Sequence, residues 1–184
     1  MSREAGRDQL GRLLRDLRLS VTDRCNFRCP YCMPKEEFGS DYRFVPSANQ
    51  LSPEETVRLV GLFADIGVRK LRITGGEPLF QEECIDLLNE LVNSNYEVML
   101  ETGGSLSISD VPKKVVKIVD FKCPSSGMVK KNLWSIVDDL QAHDEVKFVI
   151  GNREDFDWAK DRITEYSLDK ICTLLFSPTF GEID

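Results

Sequence analysis

The sequence predicts an α/β fold, an incomplete (βα)6 barrel of parallel strands that is open on one side. Three observations support this prediction. Strand-like and helix-like segments alternate along the chain, apolar residues recur with a period of two in the strand-like segments, and polar motifs follow two of the strands. This alternation is typical of βα units and a parallel sheet. At 184 residues the chain has the length of a single domain, 1–184.

The first half of the chain is predicted to contain three strands and two helices. Ser52 and Glu55 form a capping-box pattern, with Pro53 at the first helical position. The helix that follows is expected to end at Gly67. The other predicted elements are strands at 17–21, 71–74 and 97–102 and a helix at 81–95.

The second half is predicted to contain three further strands. The segment 108–116 is short and interrupted by Pro112, so we do not expect a full helix there. The other predicted elements are strands at 118–122, 145–150 and 171–176 and helices at 132–142 and 153–166.

Polar side chains alternate with apolar ones along the predicted strands. In the first strand Leu17 and Leu19 face one way and Arg18 the other, because successive side chains point to opposite faces. If the apolar faces pack under helices, the polar faces line one cavity. The residues expected there are Arg18, Arg72, Thr74, Asp120, Lys122 and Lys147. The alternative is that some of them are exposed edge residues.

Three cysteines, Cys25, Cys29 and Cys32, follow the first strand with the spacing C-x3-C-x2-C. Three thiolates can hold three irons of a 4Fe-4S cluster and leave the fourth iron open to a cofactor or substrate. A structural zinc site would need a fourth ligand, and the one histidine, His143, is distant in sequence. A disulfide would leave one cysteine unpaired. The spacing favours the open cluster, with zinc and incidental cysteines as alternatives.

A second motif, Thr74-Gly-Gly-Glu-Pro78, ends the second predicted strand. Two glycines at a strand end allow the backbone to approach a ligand closely. The proline prevents further ladder pairing. The carboxyl ends of parallel strands carry the chemistry of such folds, so this turn is expected to lie beside the cysteine loop.

Composition excludes several classes of protein. The formal net charge of −7 gives no global basic footprint for nucleic acid. No apolar run approaches a membrane span, and the N-terminal residues lack the apolar core of a signal peptide. We therefore expect a cytoplasmic protein whose thiols stay reduced. The chain stops at Asp184, after the sixth strand, and a homodimer or a bound partner could cover the lateral opening.

Together the two motifs resemble the radical S-adenosylmethionine (SAM) superfamily. The resemblance implies that Cys25, Cys29 and Cys32 bind a 4Fe-4S cluster whose open iron chelates SAM. An electron from the cluster, supplied by a flavodoxin-type or ferredoxin-type reductant, breaks a sulfur–carbon bond, and the deoxyadenosyl radical takes a hydrogen atom from the substrate. It also implies a set of SAM-binding residues. These are Gly75, Gly76 and Glu77, with Tyr31 near adenine and Ser105 and Lys122 as further contacts.

The two halves of the chain resemble different members. Residues 10–79 are similar to the molybdenum-cofactor GTP cyclase, in which the arginines matching Arg18 and Arg72 contact GTP; Thr74 is assigned to the substrate with them. That family's second cysteine cluster is not found here. Residues 80–184 are similar to 7-carboxy-7-deazaguanine synthase, through stretches such as Glu101-Thr-Gly-Gly-Ser105. The sequence thus has the character of a hybrid, with a junction near 79–80.

The longer resemblance implies a lyase of queuosine biosynthesis that contracts the ring of 6-carboxy-tetrahydropterin. In that family an Asp-Thr pair follows the last cluster cysteine and its threonine binds Mg²⁺; here the pair is Met33-Pro34, and neither side chain offers an oxygen ligand. The alternatives are a GTP cyclase-like protein, or an engineered or degenerate cluster-binding scaffold without turnover. No side chain is assigned a catalytic acid or base role.

Overall fold

The fold is a single six-stranded parallel sheet, seen in a computed structural model that describes residues 6–182. The strands lie in chain order, and each pairs in parallel with its neighbour. They are β1 (Asp16–Ser20), β2 (Lys70–Thr74), β3 (Glu97–Thr102), β4 (Val116–Phe121), β5 (Glu145–Ile150) and β6 (Thr173–Pro178). Because β1 and β6 form the two edges, the barrel is open between them. This confirms the predicted fold class; the assignment of 1–184 to one domain stays a prediction.

Three α-helices connect the strands, α1 (Pro53–Ala64), α2 (Cys84–Asn93) and α3 (Arg153–Tyr166). The capping box predicted for α1 is present. The Ser52 hydroxyl accepts from the Glu55 amide at 3.2 Å, and the Ser52 amide donates to the Glu55 carboxylate at 3.0 Å. The first four amides of a helix have no acceptor within it, and the box supplies acceptors for two amides at this end, which fixes where α1 begins. No described helix is both long and apolar enough to span a bilayer.

The prediction of a helix at 132–142 is wrong. The chain instead forms a six-residue 3-10 helix, Trp134–Asp139. Tertiary contacts override the helical pattern: the Leu133 amide donates to the Gly104 carbonyl at 2.8 Å, and Trp134 stacks between Phe121 and Tyr166 with ring centroids 4.4 Å from each. These contacts hold the crossover against the sheet in a shape that a longer helix could not follow.

Other boundaries moved by a few residues. Helix α2 starts at Cys84 rather than at 81, because a 3-10 turn, Pro78–Phe80, comes first. Strand β6 lies two residues later than predicted. The segment 108–116 contains no helix, as expected. The first five residues of the N-terminal segment discussed above, and Asp184, lie outside the described residues.

The hydrophobic core lies between the helices and one face of the sheet. Apolar strand residues such as Leu71, Ile73 and Phe148 are buried there against Leu88 and Leu91 of α2 and other helical residues. The opposite face of the sheet carries the polar side chains and faces the lumen. The period-two pattern therefore assigns the two faces correctly.

One ion pair interrupts the apolar core. The Lys117 ammonium lies 2.9 Å from the Asp144 carboxylate, and the side chains are 3% and 0% exposed. Asp144 also accepts from the backbone amides of Lys117 and Gln141, each at 2.8 Å. A buried charge needs such a full set of partners. The pair joins the start of β4 to the loop before β5.

Candidate active site

The main cavity opens at the carboxyl ends of the strands and has a volume of about 330 Å³. This falls in the size range of small-molecule sites. Its walls come from the cysteine loop after β1, the glycine turn after β2, and the ends of the other four strands. Residues lining it include Arg18, Cys25, Phe27, Cys29, Tyr31, Cys32, Met33, Thr74, Gly75, Gly76, Glu101, Asp120, Lys122, Lys147 and Thr179.

All three cysteines of the loop are free thiols, and all three line this cavity. Cys29 is buried, Cys25 is half-buried and Cys32 is exposed. The loop turns at its end because the amides of Cys32 and Met33 both donate to the Cys29 carbonyl, at 3.1 and 2.9 Å. The three thiols therefore lie at one cavity, as the sequence predicts. Their role as cluster ligands stays a prediction.

Two of the three thiols are partly or fully withdrawn from water. Burial raises the pKa of Cys25 and of Cys29, and the Lys122 ammonium opposes this for both. Within residues 6–182, no three His, Cys, Asp or Glu side chains lie close enough to hold a single metal ion. A zinc ion would need its ligands to converge on one point, whereas each iron of a cluster takes a separate thiolate. The preference for a cluster over zinc stays a prediction from the spacing of the cysteines.

Arg28, which the sequence analysis did not single out, braces the cysteine loop. Its guanidinium donates to the carbonyls of Cys25 (2.8 Å), Phe27 (2.6 Å) and Phe38 (2.8 Å). The segment 35–51 is tied to the loop through this bond to Phe38. It contributes no residue to the cavity lining, so it supports the loop from outside rather than covering the site.

The glycines of the second motif are required by the cysteine loop itself. A Cβ at Gly75 would lie 2.4 Å from the Thr22 carbonyl oxygen, and one at Gly76 would lie 2.1 Å from that of Arg24. Gly75 also has φ +146°, which disfavours other residues. The Gly76 amide donates to Thr22 at 2.8 Å, and the next amide donates to Arg24 at 2.8 Å. The backbone of the glycine turn thus packs directly on the backbone that leads into the cysteine loop. Both glycines also line the cavity.

Glu77 links this turn to β3. Its fully buried carboxylate accepts from the Thr102 hydroxyl at 2.9 Å, the Gly103 amide at 2.7 Å and the Leu79 amide at 3.1 Å. Burial raises the pKa of Glu77 above its ordinary value, although these hydrogen bonds favour the charged form. The Glu77 side chain is therefore fully used in holding the turn. The part of the turn that a cofactor could contact is the backbone of Gly75 and Gly76, which line the cavity.

Lys122 is a cation whose charge acts on two of the thiols, since it lowers the pKa of both Cys25 and Cys29. Its ammonium lies 3.1 Å from the Asp120 carboxylate, which also pairs with Lys147 at 3.4 Å, and 5.6 Å from the centre of the Phe27 ring. Burial alone would lower the pKa of Lys122, but the charges of Asp120 and the cysteines outweigh it and raise it. A fixed positive charge thus faces the thiols, which favours their thiolate form.

Of two further residues predicted to bind the cofactor, Tyr31 lines the cavity and Ser105 does not. Tyr31 lines the cavity, and burial raises the pKa of its phenol, which therefore stays neutral. Ser105 lies behind the cavity lining, where its hydroxyl accepts from the Asn26 side chain at 2.8 Å. Ser105 thus positions the residue that follows Cys25.

The predicted convergence of polar lumen residues holds for five of the six side chains. Arg72 is the exception: it lines a second opening with Asp16 and Lys70, near the amino ends of β1 and β2, and Arg18 lines both openings. Glu101 of β3 stands between Arg72 and the main cavity. It was missed because the alternation of β3 was not used, although Glu101 shares its face with Met99.

Glu101 is held by three donors. Arg18 donates to one carboxylate oxygen at 2.7 Å, Arg72 to the other at 2.9 Å, and the Thr74 hydroxyl to the first at 3.0 Å. Burial alone would raise the pKa of Glu101, but these hydrogen bonds and the two guanidinium charges outweigh it, so the pKa lies below its ordinary value of 4.5. The carboxylate is therefore charged at neutral pH.

This shift predicts a pH-dependent contribution to stability. Because the pKa of Glu101 is lower in the folded state, its contribution is complete above about 4.5 and is lost as the pH falls through the folded-state pKa. We expect the difference in free energy of unfolding between wild type and Glu101→Gln to be constant from neutral pH to about pH 5 and to shrink below it. Urea unfolding at several pH values measures this, and Glu97→Gln, on an exposed pair with Lys70, should show no such trend.

The fold and the site together define a class of protein. It is an incomplete parallel barrel that places a three-cysteine loop after its first strand, beside a Gly-Gly turn after its second. The family model of the radical SAM superfamily matches residues 19–124, which include both motifs. The chain belongs to the radical SAM superfamily.

Curated relatives fall into two groups. A GTP 3',8-cyclase from Staphylococcus haemolyticus is 53% identical over 102 residues, which is 54% of this chain and 30% of the relative. A 7-carboxy-7-deazaguanine synthase from Koribacter versatilis is 39% identical over 158 residues, 85% of this chain and 66% of the relative. The chain thus spans about a third of the cyclases it matches. The two matches cover 102 and 158 residues of a 184-residue chain, so part of the chain is similar to both groups of relatives. The two resemblances therefore do not meet at a sharp boundary in these matches, and the junction near 79–80 stays a prediction.

Solved structures agree on the fold. Streptococcus suis SuiB bound to S-adenosylmethionine has a TM-score of 0.63 and 13% sequence identity, covering 91% of this chain and 42% of SuiB. SuiB bound to its precursor peptide SuiA also has a TM-score of 0.63, at 14% identity. At such identities the likeness concerns the fold alone.

The residues of the site fit the cofactors that the family implies. Three free thiols at one cavity, a facing ammonium and a buried carboxylate that fixes the glycine turn suit a 4Fe-4S cluster with SAM on its open iron. Met33 also lines the cavity, and its thioether is a poor ligand for Mg²⁺. Neither Met33 nor Pro34 offers a side-chain oxygen for Mg²⁺, so the magnesium ligand that the resemblance to the synthase implies is missing from these side chains.

Proposed function

We propose that this chain is a radical SAM lyase of the 7-carboxy-7-deazaguanine synthase type. It would cleave SAM reductively, abstract a hydrogen atom from 6-carboxy-tetrahydropterin and contract its ring, a step of queuosine and deazapurine biosynthesis. The observation that carries the proposal is the shared cavity of Cys25, Cys29 and Cys32 in a chain that matches a synthase over 85% of its length. The other group of relatives matches over a shorter part.

The side chains of the site have separate tasks in this reaction. When bound, the cluster and SAM supply a carbon radical that removes a hydrogen atom from the substrate. Cys25, Cys29 and Cys32 would each hold one iron, with Lys122 offsetting the negative charge of the thiolates. The backbone at Gly75 and Gly76 would receive the methionine end of SAM, and Tyr31 would lie against its adenine.

The cavity walls would protect the reaction. Phe27 is 2% exposed and lies against Gly103, where a Cβ would come within 2.6 Å of its ring. Such close packing would exclude water from the part of the cavity wall beside the thiols. A primary carbon radical needs a site without water, because it would otherwise react with the wrong partner. The small-molecule substrate would enter from the open side, between β1 and β6. An external reductant of flavodoxin or ferredoxin type would supply the electron.

A GTP 3',8-cyclase reaction is the second candidate. Identity to cyclases reaches 53%, higher than to the synthase, and Arg18 lines the cavity as a substrate contact would. Against it, Arg72 pairs with Glu101 and lies outside the cavity lining. A third candidate is a scaffold that binds a cluster but does not turn over.

The test is an anaerobic reconstitution of the chain with iron and sulfide, followed by side-by-side incubation with SAM, a reductant and either 6-carboxy-tetrahydropterin or GTP. We expect methionine, 5'-deoxyadenosine and a ring-contracted product from the pterin alone. Consumption of GTP alone would favour the cyclase. A reconstituted and reduced cluster that never cleaves SAM would leave the scaffold as the better account.

A further inference from the structure

Glu101 lies between two arginines that come from neighbouring strands. In the sheet register Arg18 is directly opposite Arg72, and Arg72 is opposite Met99, which places Glu101 diagonally across on the same face. Two like charges directly opposite each other would repel. The carboxylate relieves this by taking one guanidinium on each oxygen, at 2.7 and 2.9 Å, with the Thr74 hydroxyl at 3.0 Å as a third donor.

This pairing changes which anions the arginines can bind. Two free guanidinium groups on one face form a strong site for phosphate groups, since each offers a fork of donors. Here Glu101 already occupies donors of both. Its own charge would also repel a polyphosphate brought to the same place. Arg72 is the more affected, because it lies behind Glu101 and outside the main cavity.

The charge balance of the cavity also disfavours a polyphosphate. Among the described lining residues, Arg18, Lys122 and Lys147 are positive and Glu101 and Asp120 are negative. Asp120 pairs with both lysines, so most of this charge is neutralised internally. Apart from the cysteines, this leaves a surplus of one positive charge, which the thiolates of a bound cluster would offset. The surplus is too small to neutralise a triphosphate.

We propose that Glu101 is a specificity-determining residue: by holding Arg18 and Arg72 it admits substrates with one carboxylate and rejects polyphosphate esters. The identity of the carboxylate substrate rests on the proposed function. The rejection of polyphosphate does not, because it follows from the contacts of Glu101 alone.

The experiment measures binding of inorganic tripolyphosphate by titration calorimetry at low salt, on the full chain without turnover. Glu101→Gln keeps the shape of the side chain but removes the charge that holds the guanidinium groups. We expect it to tighten tripolyphosphate binding by at least about tenfold relative to wild type. Glu97→Gln lies on the same strand but pairs only with Lys70 at the exposed end, and it should not change the affinity.

Two further variants locate the effect. In the Glu101→Gln background, Arg72→Gln should remove the gain, since the freed guanidinium is then missing. In the wild-type background, Arg72→Gln should leave tripolyphosphate binding unchanged, because Arg72 is already occupied. This last comparison remains informative even if Glu101→Gln fails to fold.

Three results would overturn the proposal. They are a folded Glu101→Gln that gains no affinity, a gain that survives the loss of Arg72, and a wild-type affinity that drops when Arg72 alone is replaced. Circular dichroism establishes folding in each case. A chain that ignores 6-carboxy-tetrahydropterin but gains tripolyphosphate affinity in Glu101→Gln would refute the proposed function and leave this inference standing.

Discussion

Replacing any one of Cys25, Cys29 and Cys32 by alanine is expected to abolish reductive SAM cleavage. Each thiol is the sole candidate ligand for one iron, and the loop offers no fourth cysteine to take its place. Losing a direct ligand should lower activity by at least about a hundredfold, since losing an outer-shell partner of a metal site already costs 10–100-fold. The readouts are iron and sulfide per chain after anaerobic reconstitution, and the yield of methionine and 5'-deoxyadenosine.

The chain contains its own control for this experiment. Cys172 is a half-buried thiol at the start of β6, and burial raises its pKa to about 11. It lies outside the cavity lining, so Cys172→Ala should retain iron and full SAM cleavage. If a loop variant keeps wild-type iron content and cleavage, the ligand assignment is wrong. If Cys172→Ala loses iron as well, the loss reflects unfolding rather than ligation.

The cysteine loop could be located from sequence because its information is local. The spacing of Cys25, Cys29 and Cys32 and the end of the preceding strand lie within one short segment, and a parallel sheet brings the carboxyl ends of its strands to one edge. The same reasoning placed Lys122 and Asp120 in the cavity. In each case the strand's period of two determined the face.

Residues whose roles depend on long-range contacts were less accessible. Arg28 is a different case: its acceptors lie within ten residues of it, but they are backbone carbonyls, which no sequence pattern marks. The helix predicted at 132–142 gave way to packing of Trp134 between two aromatic rings, which periodicity alone does not report. The predicted face of Arg72 was correct, but its assignment to the cavity was wrong, because Glu101 of β3 pairs with it and lies at the cavity instead.

The glycine turn shows the same distinction, and it leads to the second large effect. From sequence, Gly75 and Gly76 were expected to let the backbone approach a ligand. In the structure their nearest neighbours are the carbonyls of Thr22 and Arg24 in the cysteine loop. The motif thus joins the two halves of the site to each other, whether or not a cofactor is bound.

Gly76→Ala is therefore expected to disrupt the site even before a cofactor binds. The new Cβ would lie 2.1 Å from the Arg24 carbonyl oxygen and 2.9 Å from the Cys25 amide, and backbone atoms cannot turn aside as a flexible side chain would. Relief requires the two loops to separate, which breaks the amide–carbonyl bonds to Thr22 and Arg24, each 2.8 Å long. We expect a loss of about 3 kcal/mol in the free energy of unfolding, the upper end of the usual cost of overpacking, together with loss of iron.

Gly61→Ala is the matched control, because it makes the same chemical change where nothing opposes it. Gly61 lies within α1, and a Cβ there would meet no atom within 4 Å. Alanine in a helix interior is favoured over glycine by about 0.5–1 kcal/mol, so this variant should be slightly more stable than wild type and retain its iron. Urea unfolding of the apo chain and iron content after reconstitution distinguish the two variants. A Gly76→Ala protein as stable as Gly61→Ala, with full iron content, would mean that the turn and the cysteine loop are not held in contact.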